Sequence, residues 1–223
     1  MSQAETAADR LSAIHARIAH IAKIAGRDPA DIALIAISKT HGTDAIRPLI
    51  AAGQRQFGEN RVQEAADKWP ELLAETPDAV LHLVGQLQSN KAEEAVALFD
   101  VIHSVDRPSL VAALGRAQEK LGKHPACYVQ ANIGAEAQKG GCAIADLAGL
   151  LEVAKAANLN VVGLMAVPPA GIEAAPYFAL LAKLARDHGL TGLSMGMSDD
   201  FETAVMLGAT QIRIGSALFG ARG

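Results

Sequence analysis

The sequence predicts an α/β fold, a single (β/α)₈ barrel of the TIM type preceded by one extra helix. Three observations carry that expectation. Eight short runs with strand character alternate with helical stretches along the chain. The 223 residues, half of them apolar, suffice for one barrel core and are expected to form one domain over residues 1–223. Small and polar residues gather where the strand-like runs end, on the face where such barrels carry their sites. An open doubly wound sheet uses the same alternation and is the competing arrangement.

The elements follow in order. Leu11, Ile14, Ile18 and Ile21 recur at helical spacing, and Gly26 stops the run before Asp28-Pro29. Residues 1–26 are therefore expected to carry a helix packed on the barrel wall. Ile32–Ser38 reads as a fully buried strand. The segment DAIRPLIAAG after it reads as a helix closed by Gly53, with Pro48 expected to delay its start or kink it. Further strands are expected at Arg55–Gly58, Leu81–Gly85, Val101–Val105, Ala126–Asn132, Val161–Ala166, Gly192–Gly196 and Gln211–Gly215. Arg55–Gly58 and Val101–Val105 have the faintest patterns. Helices are expected between them at Asn90–Leu98, Ser109–Leu121, Ile144–Ala157, Ala174–His188 and Asp200–Leu207.

Composition excludes several functions. A formal charge of −4 offers no basic stripe for nucleic acid. The polar start MSQAETAADR has no apolar run behind it, and no later run is long enough to span a membrane. A cytoplasmic protein is expected, with Cys127 and Cys142 as reduced thiols and Cys142, after Gly140-Gly141, in an exposed loop. The seven histidines lack metal-ligand spacing, so no metal site is expected. His82 and His103 read as satisfied core groups. The inner parts of the strands otherwise read as aliphatic.

Lys39 ends an apolar strand, so its amine is expected over the barrel mouth against low-dielectric walls. Desolvation disfavours the ammonium form, which suits a Schiff-base lysine; a lysine merely snorkelling from a strand end is the plain alternative. Arg213 alternates with Ile212 and Ile214, so its guanidinium is expected to point into the barrel, toward an anion, a ring nitrogen or an internal ion pair with Glu59. Gly196-Met197-Ser198 and Gly215-Ser216 form two turns that each lead into a helix, a suitable cradle for phosphate. Asp199 with Glu202 also reads as an ordinary capping box. An imine-forming lysine beside a phosphate cradle points to a phosphorylated aldehyde.

Five motifs occur together: ISKT around Lys39, FGENRVQEA at Phe57–Ala65, HLVGQLQSNK at His82–Lys91, LSMGMSDD at Leu193–Asp200, and IRIGSALFGAR at Ile212–Arg222. In this order and spacing they resemble the YggS/PROSC family of pyridoxal phosphate homeostasis proteins, over nearly the whole chain. The resemblance implies a barrel like the N-terminal domain of alanine racemase, with pyridoxal 5′-phosphate (PLP) held as an internal aldimine on Lys39. It also implies Asn60 beside the cofactor ring, Arg213 at the pyridine nitrogen, Ser198, Gly215 and Ser216 at the phosphate, and Met197 among the cofactor-binding residues. Lys139, in QKGG, matches a lysine linked to a secondary cofactor contact. Arg61 stands where several relatives have tyrosine, and the stretch after Met165 is short for a lid.

The same residues favour a carrier over a catalyst. PLP enzymes use a protonated ring nitrogen as electron sink, and an arginine there weakens it. Racemases add a second acid/base group and a C-terminal domain; here the sequence stops shortly after Gly215, and Tyr128 and Tyr177 lie poorly placed for proton transfer. The expectation is a monomeric PLP-binding protein with no catalytic residue, storing the cofactor or delivering it to PLP-dependent apoenzymes. The alternative is a cryptic racemase-like amino-acid enzyme, and a Schiff-base aldolase is a more distant one.

Overall fold

Apolar runs of three to six residues become strands only where each finds a hydrogen-bonded neighbour on both sides, and a closed barrel supplies both. The structure, a computed structural model, describes residues 5–220. Its strands are β1 (Ala33–Ile37), β2 (Gln56–Glu59), β3 (Val80–Leu83), β4 (Val101–Val105), β5 (Ala126–Gln130), β6 (Asn160–Met165), β7 (Gly192–Ser194) and β8 (Gln211–Ile214). They run parallel in chain order, and β8 pairs back onto β1 from Ala33↔Gln211 to Ala36↔Ile214, which closes the barrel. No open sheet forms. Both faint patterns are strands.

The helices are α1 (Ala7–Ile24), α2 (Thr43–Ala51), α3 (Val62–Glu75), α4 (Ala92–Leu98), α5 (Pro108–Leu121), α6 (Leu147–Ala156), α7 (Ala175–Asp187), α8 (Phe201–Met206) and α9 (Ser216–Phe219). A Thr6–Asp9 capping box starts α1, and Gly26 at φ +66° ends it. Leu11, Ile14, Ile18 and Ala22 are buried, whereas Ile21 is only half-buried. Arg17 pairs with Glu202 at 2.9 Å, and Arg10 donates to the Leu218 carbonyl, so α1 is fastened to α8 and α9. The apolar face of α1 is thus buried against the chain's own barrel. No helix among the described residues is long and apolar enough to cross a membrane.

Several expectations need correction. Six strands stop short of their expected ends, because the chain turns there to build the mouth; Gly196, at φ +93°, belongs to a turn and not to β7. Pro48 neither delays nor ends α2, which starts at Thr43 and carries the proline in its second turn. Helix α3 was not singled out from the sequence, although Val62, Ala65, Trp69 and Leu72 stand at helical spacing and are all buried. Cys142 is not exposed: its backbone pairs with Gln130 and Asn132 beside β5, and burial pushes its thiol up to about 11. Cys127 is also free and buried, its thiol pushed up to about 12. The capping box at Asp199 is absent; Asp200 instead accepts from the Met197 N–H, and Glu202 reaches across to α1. Ala221 and Arg222, the last residues of the fifth motif, lie outside the described residues.

Candidate cofactor site at the barrel mouth

The carboxyl ends of β1, β2, β7 and β8 converge on one cavity of about 330 Å³. Lys39, Asn60, Met197, Ser198, Arg213, Gly215 and Ser216 all line it, together with Ile37, Val84 and Val167. All seven residues singled out in the sequence therefore meet in one place. A larger outer groove of about 560 Å³, lined by Glu152, Lys155 and His188, lies away from the strand ends and gathers no such set. No cluster of three or more His, Cys, Asp or Glu suited to a metal ion occurs among the described residues.

Each side chain has a local reason for its place. Lys39 lies two residues past the end of β1, and Thr40 after it takes φ +64°. Lys39 is exposed, so the apolar desolvation expected from its strand is not what the structure shows. Asn60 is set by Gly85, where an added Cβ would fall 2.1 Å from the Asn60 carbonyl oxygen. Gly196 lets its turn close on α8, since a Cβ there would come within 2.5 Å of the Ala204 Cβ. The turns after β7 and β8 then put the hydroxyls of Ser198 and Ser216 3.5 Å apart. At Gly215 an added Cβ would meet only Ile37, at 3.6 Å, so the glycine leaves room beside the hydroxyl pair.

Arg213 is only 5% exposed, and burial lowers its pKa to about 10. Its Nη1 donates to Ser194 Oγ at 2.6 Å and its Nη2 to the Ala166 carbonyl at 3.0 Å. No carboxylate among the described residues bonds it, which removes the alternative of an ion pair with Glu59: that residue binds Lys68, Ser38 and Trp69 instead. A guanidinium has five N–H groups and no acceptor, so donors remain for a ligand at the mouth.

Sequence reasoning missed what stands behind Arg213. His103 Nδ1 lies 2.8 Å from Ser194 Oγ, His103 Nε2 lies 2.9 Å from His82 Nδ1, and His82 Nε2 lies 2.6 Å from Gln56 Oε1. These residues come from β2, β3, β4, β7 and β8, so the chain crosses the barrel interior, which is not wholly aliphatic. Gln56 Oε1 only accepts and each neutral ring carries one N–H, so His82 donates to Gln56, His103 to His82, and the Ser194 hydroxyl to His103. Burial keeps both imidazoles neutral, with His82 lowered to about 3 and His103 well below its ordinary value. Tyr128 stacks on His103 with ring centroids 4.6 Å apart. His82 and His103 are satisfied core groups, as expected. The signal for the chain was partly present: His82 stands between Leu81 and Leu83, and His103 follows Ile102, so strand alternation sends each ring to the face opposite those aliphatic neighbours.

A second cavity of about 290 Å³ shares Asn60, Val84 and Val167 with the first and is lined by Lys139, Gln86 and Gln130. Lys139 does not line the first cavity. It pairs with Glu136 at 2.6 Å and donates to the Pro168 carbonyl.

Comparison with known proteins agrees with this architecture. A family model described as alanine racemase, N-terminal domain, matches residues 10–223. A curated pyridoxal phosphate homeostasis protein of Pseudomonas aeruginosa is 45% identical, over 97% of this chain and 96% of its own. The chain belongs to this family. Family membership extends to solved structures: PipY of Synechococcus elongatus PCC7942, with PLP bound, shares 43% identity over 91% of this chain and all of its own, at a TM-score of 0.78. Alanine racemase of Bacillus anthracis, at 17% identity and a TM-score of 0.67, shares the fold; this chain spans 56% of its length.

Proposed function

We propose that this chain binds PLP at the barrel mouth and serves vitamin B6 homeostasis by holding the cofactor in store or for delivery. One observation supports this most: an amine, a hydroxyl pair and a buried guanidinium from separate strand ends line a single small cavity. Bound PLP supplies an aldehyde and a phosphate. Lys39 would hold the cofactor through its amine, the group whose chemistry matches that aldehyde. Ser198 and Ser216 would donate to the phosphate, and the glycine at 215 would give it room. Arg213 would donate to the pyridine nitrogen, and Asn60 and Met197 would border the cofactor.

The reading as a carrier with no catalytic residue rests on the same side chains. A donor-only arginine at the ring nitrogen disfavours its protonation and so weakens it as an electron sink. Neither tyrosine lines the cavity: Tyr128 stacks inside the barrel and Tyr177 lies on α7. The chain acts as a monomer in the cytoplasm and passes PLP to dependent apoenzymes; the two buried, unpaired thiols support a reducing compartment. Lys39→Ala tests the central residue. The variant should fold as wild type yet lack the yellow band that PLP gives when imine-linked to protein. A band that persists in the variant overturns the assignment.

A further inference from the structure

We propose that Glu64, Lys68 and Glu59 form a clamp that holds Thr40 in a left-handed turn and thereby aims Lys39 over the barrel mouth. This rests on the reading of Lys39 given above, but it concerns residues that do not line the cavity. They are positioning residues.

Thr40 is the starting point. At φ +64° it occupies a region that glycine enters freely and a β-branched residue avoids. Ser38 to His41 form a turn closed by the His41 N–H on the Ser38 carbonyl, at 3.1 Å. Thr40 is its third residue, where a turn of this hand calls for glycine. Elsewhere glycine serves most such positions, at Gly26, Gly53, Gly122 and Gly189 among others, with Ala135 and Asn158 the exceptions among the described residues; neither of those is β-branched. Thr40 is exposed, so burial of its side chain does not impose the conformation. A strained residue beside a functional lysine persists only where its surroundings over-determine it.

Those surroundings are specific. The Thr40 N–H donates to Glu64 Oε1. Lys68 Nζ lies 2.8 Å from the Ser38 carbonyl and 3.1 Å from the His41 carbonyl, so one ammonium grips both ends of the turn. That ammonium is fixed by Glu64 Oε1 at 2.9 Å, one helical turn away on α3, and by Glu59 Oε1 at 2.8 Å. Glu59 is fully buried and also accepts from the Ser38 hydroxyl and, at 3.0 Å, from the Trp69 indole. On the other side His41 stacks on Phe219, with ring centroids 4.3 Å apart. An ordinary surface ion pair on α3 would not reach the backbone on both sides of one lysine; this one does. Without the clamp, the turn relaxes to negative φ at Thr40 and the direction of Lys39 changes with it.

The test compares wild type, Glu64→Ala, Glu64→Gln and the double variant Thr40→Gly/Glu64→Ala. Two quantities are read: PLP affinity from the yellow band, and amide hydrogen exchange of residues 38–41 in cofactor-free protein. Glu64 is partly exposed, so its loss leaves the fold intact, and Tm is followed as a control. Glu64→Ala should weaken PLP binding about tenfold, the order expected from releasing one strained residue, and should speed exchange in the turn. Glu64→Gln keeps an acceptor and should restore most of the affinity. Thr40→Gly should rescue Glu64→Ala, because glycine adopts the turn unaided. Unchanged affinity and exchange in Glu64→Ala overturn the clamp, as does failure of Thr40→Gly to rescue. A wild-type protein that shows no yellow band sinks the functional reading instead, and hydrogen exchange still decides the clamp.

Discussion

Arg213 is a buried cation whose near partners are a hydroxyl and a carbonyl. Ser194 therefore matters more than its size suggests, since its hydroxyl accepts from Arg213 and donates to His103. Ser194→Ala removes both links and leaves two buried polar groups short of a partner. The expected loss is about 1–3 kcal/mol of stability, read as a lower urea midpoint at unchanged slope. Ser198→Ala and Ser216→Ala act on the ligand instead. Each should weaken PLP about tenfold, while pyridoxal, which lacks the phosphate, should bind variant and wild type alike; equal loss for both ligands would place these hydroxyls elsewhere. Lys39 shows the limit of reading a residue from its strand. Its position at the mouth was legible, but its exposure was not, because burial at a strand end depends on what the other elements pack around it.

Between elements, glycines set the close approaches. Gly85 lies after β3 against the backbone of Asn60, and Gly163 in β6 lies against Gly192 in β7. Gly85→Ala should cost about 1–3 kcal/mol through overpacking and displace Asn60. Its Tm and its PLP affinity should fall together. Full affinity in a destabilised variant would separate Asn60 from the site. All eight strands were legible, since period and turn residues are local signals. Helix α3 was less so, with Pro70 inside it and a charged surface face obscuring its apolar positions. Yet α3 carries Glu64 and Lys68, the two residues that grip the Lys39 turn from outside the barrel. Cys142 misled for a similar reason: glycines before it signal a loop, and only tertiary pairing shows that the loop folds back along β5.

The closed barrel brings distant segments together, and this was the least legible feature. The seven site residues could be named because strand ends share one face, whereas the polar chain from Gln56 to Arg213 depends on which strands oppose each other across the interior. That chain makes the whole molecule sensitive to acid. Unfolded histidines take up protons near pH 6.5, but folded His82 does so only at about 3 and His103 also far below its ordinary value. Below pH 6.5 the unfolded state binds more protons, so stability is full above that pH and falls as pH drops toward 3. Urea midpoints should decline between pH 7 and pH 5, and His82→Gln/His103→Gln should flatten that decline. A midpoint independent of pH over this range would mean that the imidazoles are not buried neutral.

Borohydride reduction of the protein loaded with PLP, followed by peptide mapping, addresses the cofactor site most directly. The expected result is one reduced pyridoxyl adduct, on Lys39. An adduct on other lysines, or none, would contradict PLP binding at the mouth through this residue.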